Sequence, residues 1–261
     1  MKKLYYLRKP SSLSPIKKLI KDSNENYDDI VVIFDYDQTL TQKDGVKGSA
    51  RGGEKSIRFL NWLNDNNIKW YVNTARGSGS VAAIATSMKN FKIPFSPILI
   101  DPTQTECLSP KPGLGFIGIQ TKHDGVEIGL CNNIISAGYD KDISTDYILS
   151  KLKNKPKLLI FVDDNSTNIL NLYRYFHNKP SIDFYGVIYE PYKDAEEDHE
   201  ATMAIFHEEV ESMETKRGDH FPEIEHINEE NNNSSGGRRK KTHKSKSRSR
   251  IGNKKKISRK N

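Results

Sequence analysis

Five runs of apolar, often β-branched residues punctuate the chain: Ile30 to Phe34, Lys69 to Asn73, Pro97 to Ile100, Leu158 to Val162 and Phe184 to Tyr189. They are short and continuous rather than alternating, which fits strands buried on both faces of a parallel sheet. Between most of them the spacing becomes helical. Ile57, Leu60 and Leu63 recur within Glu54 to Asn64, and Ile169, Leu172, Tyr173 and Phe176 follow the i, i+3, i+4, i+7 pattern after Asn165. Ser144 is placed to cap a helix carrying Ile148, Leu149 and Leu152. Alternation of strand and helix predicts an α/β fold with a doubly wound, Rossmann-like parallel sheet over residues 27–192.

Two stretches break the alternation. Between residues 108 and 136 the runs shorten, Gly115 to Gln120 and Val126 to Leu130, and Asp124-Gly125 between them favours a hairpin turn. This predicts a small β-hairpin cap inserted in the domain. Beyond the last strand, Met203, Phe206, Val210 and Met213 mark one seam of a strongly charged helix over residues 193–217. Residues 1–26 read as an N-terminal extension, and Trp62 and Trp70 as core aromatics.

Charge divides the chain unevenly. The formal net charge is +7, yet 13 Lys or Arg lie between Arg238 and Lys260 and no acid follows Glu230, so residues 1–230 carry 7 − 13 = −6. The stretch from residue 218 is expected to be disordered, since from Asn231 it has almost no apolar side chains, and its basic part, 238–260, is expected to bind nucleic acid nonspecifically with strong salt dependence. Its interleaved serines would let phosphorylation cancel that charge. The chain has no apolar run long enough for a signal peptide or a membrane span, and only two cysteines, Cys107 and Cys131. Those features point to a soluble, intracellular protein with no membrane partner, in a nuclear or otherwise nucleic-acid-associated setting if the tail acts as an address.

Chemistry concentrates where strands end. The first strand empties into Asp35-Tyr-Asp37-Gln-Thr39, placing two carboxylates beyond a buried strand, where open α/β sheets bind ligands. Like charges this close need a cation or a shared proton. Asp163-Asp164-Asn165 repeats the arrangement after Leu158 to Val162, and if the two strands are neighbours the acids converge into an oxygen-rich site suited to Mg²⁺. The strand Trp70 to Asn73 leads into Thr74-Ala-Arg76-Gly-Ser-Gly, offering a hydroxyl, a guanidinium and backbone N–H groups to a phosphate. Arg76 also reads as an ordinary loop charge, Thr41 as a turn cap, and Asn165 equally as a helix cap or a support of the acidic pair. His123, on the hairpin, reads as noncatalytic.

Together these residues resemble the haloacid dehalogenase-like (HAD) superfamily of aspartate-dependent phosphohydrolases. The resemblance spans about Tyr27 to Tyr189, and its finer phrases are similar to a poorly characterised group from giant viruses and intracellular bacteria. It implies that Asp35 is a nucleophile forming an aspartyl-phosphate, Asp37 a general acid/base, Thr74 a phosphate-orienting hydroxyl and Lys141 the charge-offsetting lysine. It also implies Mg²⁺ held by Asp35, the backbone carbonyl of Asp37 and Asp163, with Asp164, Thr39, Arg76 and Asn165 in support. Lys141 is preferred over Lys151, Lys155 and Lys157 because it follows Ile134 to Tyr139 and can reach the carboxyl edge of the sheet. The implied activity is a phosphomonoester hydrolase of unknown substrate class. The alternative is an inactive HAD-like scaffold that associates with nucleic acid through the tail.

Overall fold

The computed structural model describes residues 1–8, 12–42, 48–101, 119–190 and 224–227. The expected helix over 193–217, and nearly all of the sequence from 218 onward, lie outside them; the described piece, 224–227, departs from the expected disorder, because Ile224–His226 pairs as a strand with Leu4–Tyr6. The chain divides after Glu229, and the described residues belong to the first unit.

The fold is mixed α/β, built on a nine-stranded, mostly parallel sheet. In chain order the strands are β1 (Lys2–Arg8), β2 (Ile30–Phe34), β3 (Lys69–Thr74), β4 (Ile119–His123), β5 (Val126–Cys131), β6 (Ile134–Ser136), β7 (Leu158–Asp163), β8 (Asp183–Glu190) and β9 (Ile224–His226). They lie in the order β4-β5-β6-β3-β2-β7-β8-β1-β9. Among the described strands, β4 with β5 and β5 with β6 pair antiparallel, and the others pair parallel. The helices are α1 (Ile16–Asp22), α2 (Gly53–Asp65), α3 (Val81–Asn90), α4 (Lys141–Lys151) and α5 (Ser166–His177).

The continuous apolar runs bury both faces, as their lack of alternation requires. Ile30, Val32 and Phe34 of β2 pack in one core with side chains of α1, α2 and α3. Val31 and Ile33 face the other way, into a core with α4 and α5. Because β2 is flanked by β3 and β7 in parallel register, Phe34 lies opposite both Val72 and Val162. The residues just beyond, Asp35, Thr74 and Asp163, therefore meet at one edge of the sheet.

Several elements differ from the sequence expectation. The supposed N-terminal extension supplies β1, whose Leu4, Tyr6 and Leu7 are buried and which pairs with β8 on one side and β9 on the other. Pro97 to Ile100 is irregular, and the place beside β3 is taken by β6. Proline offers no ladder donor, and here the apolar Ile100 is buried while its N–H donates to the Asn132 carbonyl. The hairpin forms with Asp124 and Gly125 at its turn, both at positive φ. Instead of standing apart as a cap, however, it continues the sheet beyond β6. Helix α4 starts at Lys141, so Ser144 sits inside it and donates to Asn73 Oδ1 rather than capping. Cys131 is buried at the end of β5. No helix among the described residues is long and apolar enough to cross a membrane.

Candidate active site

At the centre of the edge, Lys141 bridges two strands. Its ammonium donates to Asp35 Oδ1 at 2.6 Å and to Asp163 Oδ2 at 2.5 Å, and all three side chains are nearly sealed from solvent. Asp35 is held in place by its own N–H, which continues the β2–β7 ladder onto the Val162 carbonyl. Lys141 is placed by β3: the Asn73 side-chain amide donates to the Lys141 carbonyl and to Thr145 Oγ1, each at 3.0 Å. Asp163 is oriented from α5, accepting from the Asn165 N–H at 2.8 Å and from Asn168 Nδ2 at 3.1 and 3.2 Å.

Asp164 completes a group. One carboxylate oxygen from each of Asp35, Asp163 and Asp164 lies within 4.8 Å of the others, an arrangement able to hold a metal ion. Three carboxylates and one ammonium leave two negative charges in a buried setting, which one divalent cation would neutralise. Carboxylate oxygens are hard donors that favour hard cations. The electrostatics agree. Burial, together with Asp163 and Asp164, raises the Asp35 carboxyl well above its ordinary range despite the neighbouring Lys141. Burial and Asp163 push Asp164 up to about 7. Burial alone would discharge Lys141, but Asp35 and Asp163 outweigh it and keep the ammonium firmly charged.

The second carboxylate of the motif does something different. Asp37 takes a bidentate pair from Arg76, Nε to Oδ2 at 2.7 Å and Nη2 to Oδ1 at 2.6 Å, at the partly open mouth of the site. The guanidinium also lies 5.4 Å from the Tyr36 ring centroid. Arg76 is therefore engaged rather than a loose loop charge. Thr74 is buried and its hydroxyl accepts from the Arg76 N–H. Thr39, also buried, accepts from the Asp164 N–H at 3.1 Å and so ties the two acidic loops together. Asn165 is the cap of α5, its side chain accepting from the Thr167 N–H, and its backbone supports Asp163 as well. Thr41 donates to the Tyr36 carbonyl, closing the turn.

The structure thus brings Asp35, Lys141, Asp163 and Asp164 into one cluster, with the Asp37 carboxylate outside it on Arg76. The other lysines are elsewhere. Lys151 pairs with Asp101, Lys155 donates to the Leu149 carbonyl, and Lys157 pairs with Asp29. His123 meets Asp146 at 3.3 Å, away from the acidic cluster's contacts. Sequence reading missed Asn73 and Asn168. A strand ending in Asn beside a motif hydroxyl, and an Asn five residues beyond Asp163, were the available signals.

The molecule is thus a mixed α/β protein with a largely buried acidic cluster at the carboxyl edge of its parallel strands. The chain belongs to the family described as "Protein of unknown function (DUF2608)", whose model matches residues 54–217. That stretch carries Thr74, Arg76, Lys141, Asp163 and Asp164 and begins after Asp35 and Asp37. No curated protein and no solved structure matches the chain.

Proposed function

We propose that the protein is a Mg²⁺-dependent phosphomonoester hydrolase of the HAD-like type, with a doubly wound, Rossmann-like domain and Asp35 as nucleophile. The observation that carries this reading is the buried Asp35–Lys141–Asp163 bridge with Asp164 beside it. The Lys141 ion pairs with Asp35 and Asp163 do not call for a third, half-buried carboxylate beside them, whereas a cation site does. The site also lies where the chain, having placed β3 on one side of β2, places β7 on the other. Ligands of open α/β sheets bind at such a reversal.

The residues divide the chemistry. Asp35 attacks the phosphorus as the ester P–O bond breaks, giving an aspartyl-phosphate. Asp37 gives its proton to the departing alkoxide oxygen, then takes one from the water that attacks the phosphoryl group, releasing inorganic phosphate and regenerating Asp35. Lys141 holds the nucleophile and offsets charge gathering on the phosphoryl oxygens. Bound Mg²⁺, ligated by Asp35, Asp163, Asp164 and the Asp37 carbonyl, would supply charge neutralisation and phosphoryl polarisation. Thr74 would orient a phosphoryl oxygen. Arg76 is a bidentate donor suited to phosphate, and it would exchange its Asp37 partner for the substrate's phosphate.

Hydrolysis of an aryl phosphate tests this reading. Turnover is expected with Mg²⁺, loss of it on chelation, and loss in Asp35→Asn. A folded protein that hydrolyses no phosphomonoester with Mg²⁺ present would remove the enzyme reading and favour the alternative, a scaffold associating with nucleic acid through residues 238–260.

A further inference from the structure

The loop that carries Arg76 is clamped from a direction the reaction does not require. Ser136, at the end of β6, donates its hydroxyl to the Arg76 carbonyl. Ser78 Oγ donates to Glu127 Oε1 on β5 at 2.7 Å. Between these two contacts lies Gly129, which pairs directly with Ser136 in the β5–β6 register. A Cβ on Gly129 would collide with the Ser78 carbonyl oxygen and press on that residue's Cα. Backbone of the 76–78 segment therefore rests on β5 at a spot only glycine permits. Ser136 also pairs with Thr74 of β3, so the row Thr74, Ser136, Gly129 runs straight across three strands beneath the loop.

We infer that the β5–β6 ribbon is the positioning element for Arg76, with Gly129, Ser136 and Glu127 as positioning residues that hold its guanidinium over the mouth of the site. Glycine at 129 sets how closely the loop approaches, Ser136 fixes the Arg76 carbonyl, and Glu127 fixes Ser78 at the start of the turn into α3. Two short donor–acceptor distances to Asp37 demand such a fixed loop, because bidentate guanidinium geometry tolerates little displacement. The hairpin thus contributes to the site as a splint from the edge of the sheet. That Arg76 then serves a phosphate rests on the function proposed above; that the ribbon fixes the Arg76–Asp37 pair does not.

The test uses the full chain labelled with ¹⁵N-arginine in Mg²⁺. The Arg76 Nε–H resonance, identified by its loss in Arg76→Lys, is followed in Gly129→Ala, Glu127→Ala and Glu127→Gln, alongside the affinity for inorganic phosphate. The resonance is expected to shift and broaden in Gly129→Ala and Glu127→Ala but stay in place in Glu127→Gln, which keeps an acceptor for Ser78. Phosphate affinity is expected to fall about three- to tenfold in Glu127→Ala, the worth of one lost hydrogen bond, and further in Gly129→Ala. If Gly129→Ala does not fold, the exposed Glu127 pair of variants decides. An Arg76 resonance unchanged in Glu127→Ala, and in Gly129→Ala where that variant folds, overturns the inference. A resonance that moves while the unaltered protein binds no phosphate upholds the ribbon's role and removes the phosphatase reading instead.

Discussion

Lys141 is the residue whose loss should be felt most, and its effect should depend on the cation. Removing one partner of a buried charge pair typically costs about 3–5 kcal/mol, because the remaining charge stays buried and unpaired. Lys141→Met leaves Asp35 and Asp163 in that position, so urea unfolding in a chelator should show a large loss. In Mg²⁺ part of it should return, and equal losses in both conditions would argue against a cation at this site. Protons should compete with the cation. Asp164 ordinarily titrates at 3.8 and is raised to about 7 in the fold, so the folded state binds its proton more tightly than the unfolded state. In chelator that contribution is fully present below 3.8 and lost as pH rises through about 7. Mg²⁺ affinity should run the other way, strengthening as pH rises through 7, and titration by calorimetry between pH 5.5 and 8.5 checks the sign. An affinity flat across that range would contradict it. The acids of this cluster were legible in the sequence because each directly follows a buried apolar run. Asn73 and Asn168 were not, because a side-chain amide shows its role only when the topology brings its acceptor alongside.

Element by element, the sequence disclosed what is local and hid what is not. Strand β2 was readable to the residue from Ile30 to Phe34, and α5 from its apolar stripe and its Asn165 cap. Strand β1 was hidden because its first residues are lysines and its partner β8 lies at the far end of the chain. Strand β6 has only three residues, too few to show a period. Pro97 to Ile100 mimicked a strand through composition alone. Since β1 is separated from the site by β8, stability and cation binding should come apart there. Leu7 is completely buried, and Leu7→Ala should cost about 2–5 kcal/mol in chemical denaturation. Mg²⁺ affinity of the folded variant should be unchanged; a matching loss of affinity would show that the site depends on the outer strands.

At the level of the whole molecule, residues 1–230 and residues 231–261 carry opposite charge. Residues 1–230 hold −6 against the chain's +7, so polyanion binding should belong to the tail alone. A chain ending at Glu230 is expected to keep its unfolding temperature and Mg²⁺ affinity while losing salt-sensitive binding to single-stranded DNA. DNA binding that survives the truncation would place that surface on the fold. If the acidic part is the phosphohydrolase proposed above, Asp35 becomes phosphorylated during turnover. The direct measurement is to quench the protein during turnover of an aryl phosphate with Mg²⁺ and to look by mass spectrometry for a hydroxylamine-labile phosphoryl group. That group is expected on the peptide containing Asp35 and is expected to be absent in Asp35→Asn. Turnover accompanied by a phosphoryl group on another residue, or by full activity in Asp35→Asn, would contradict it.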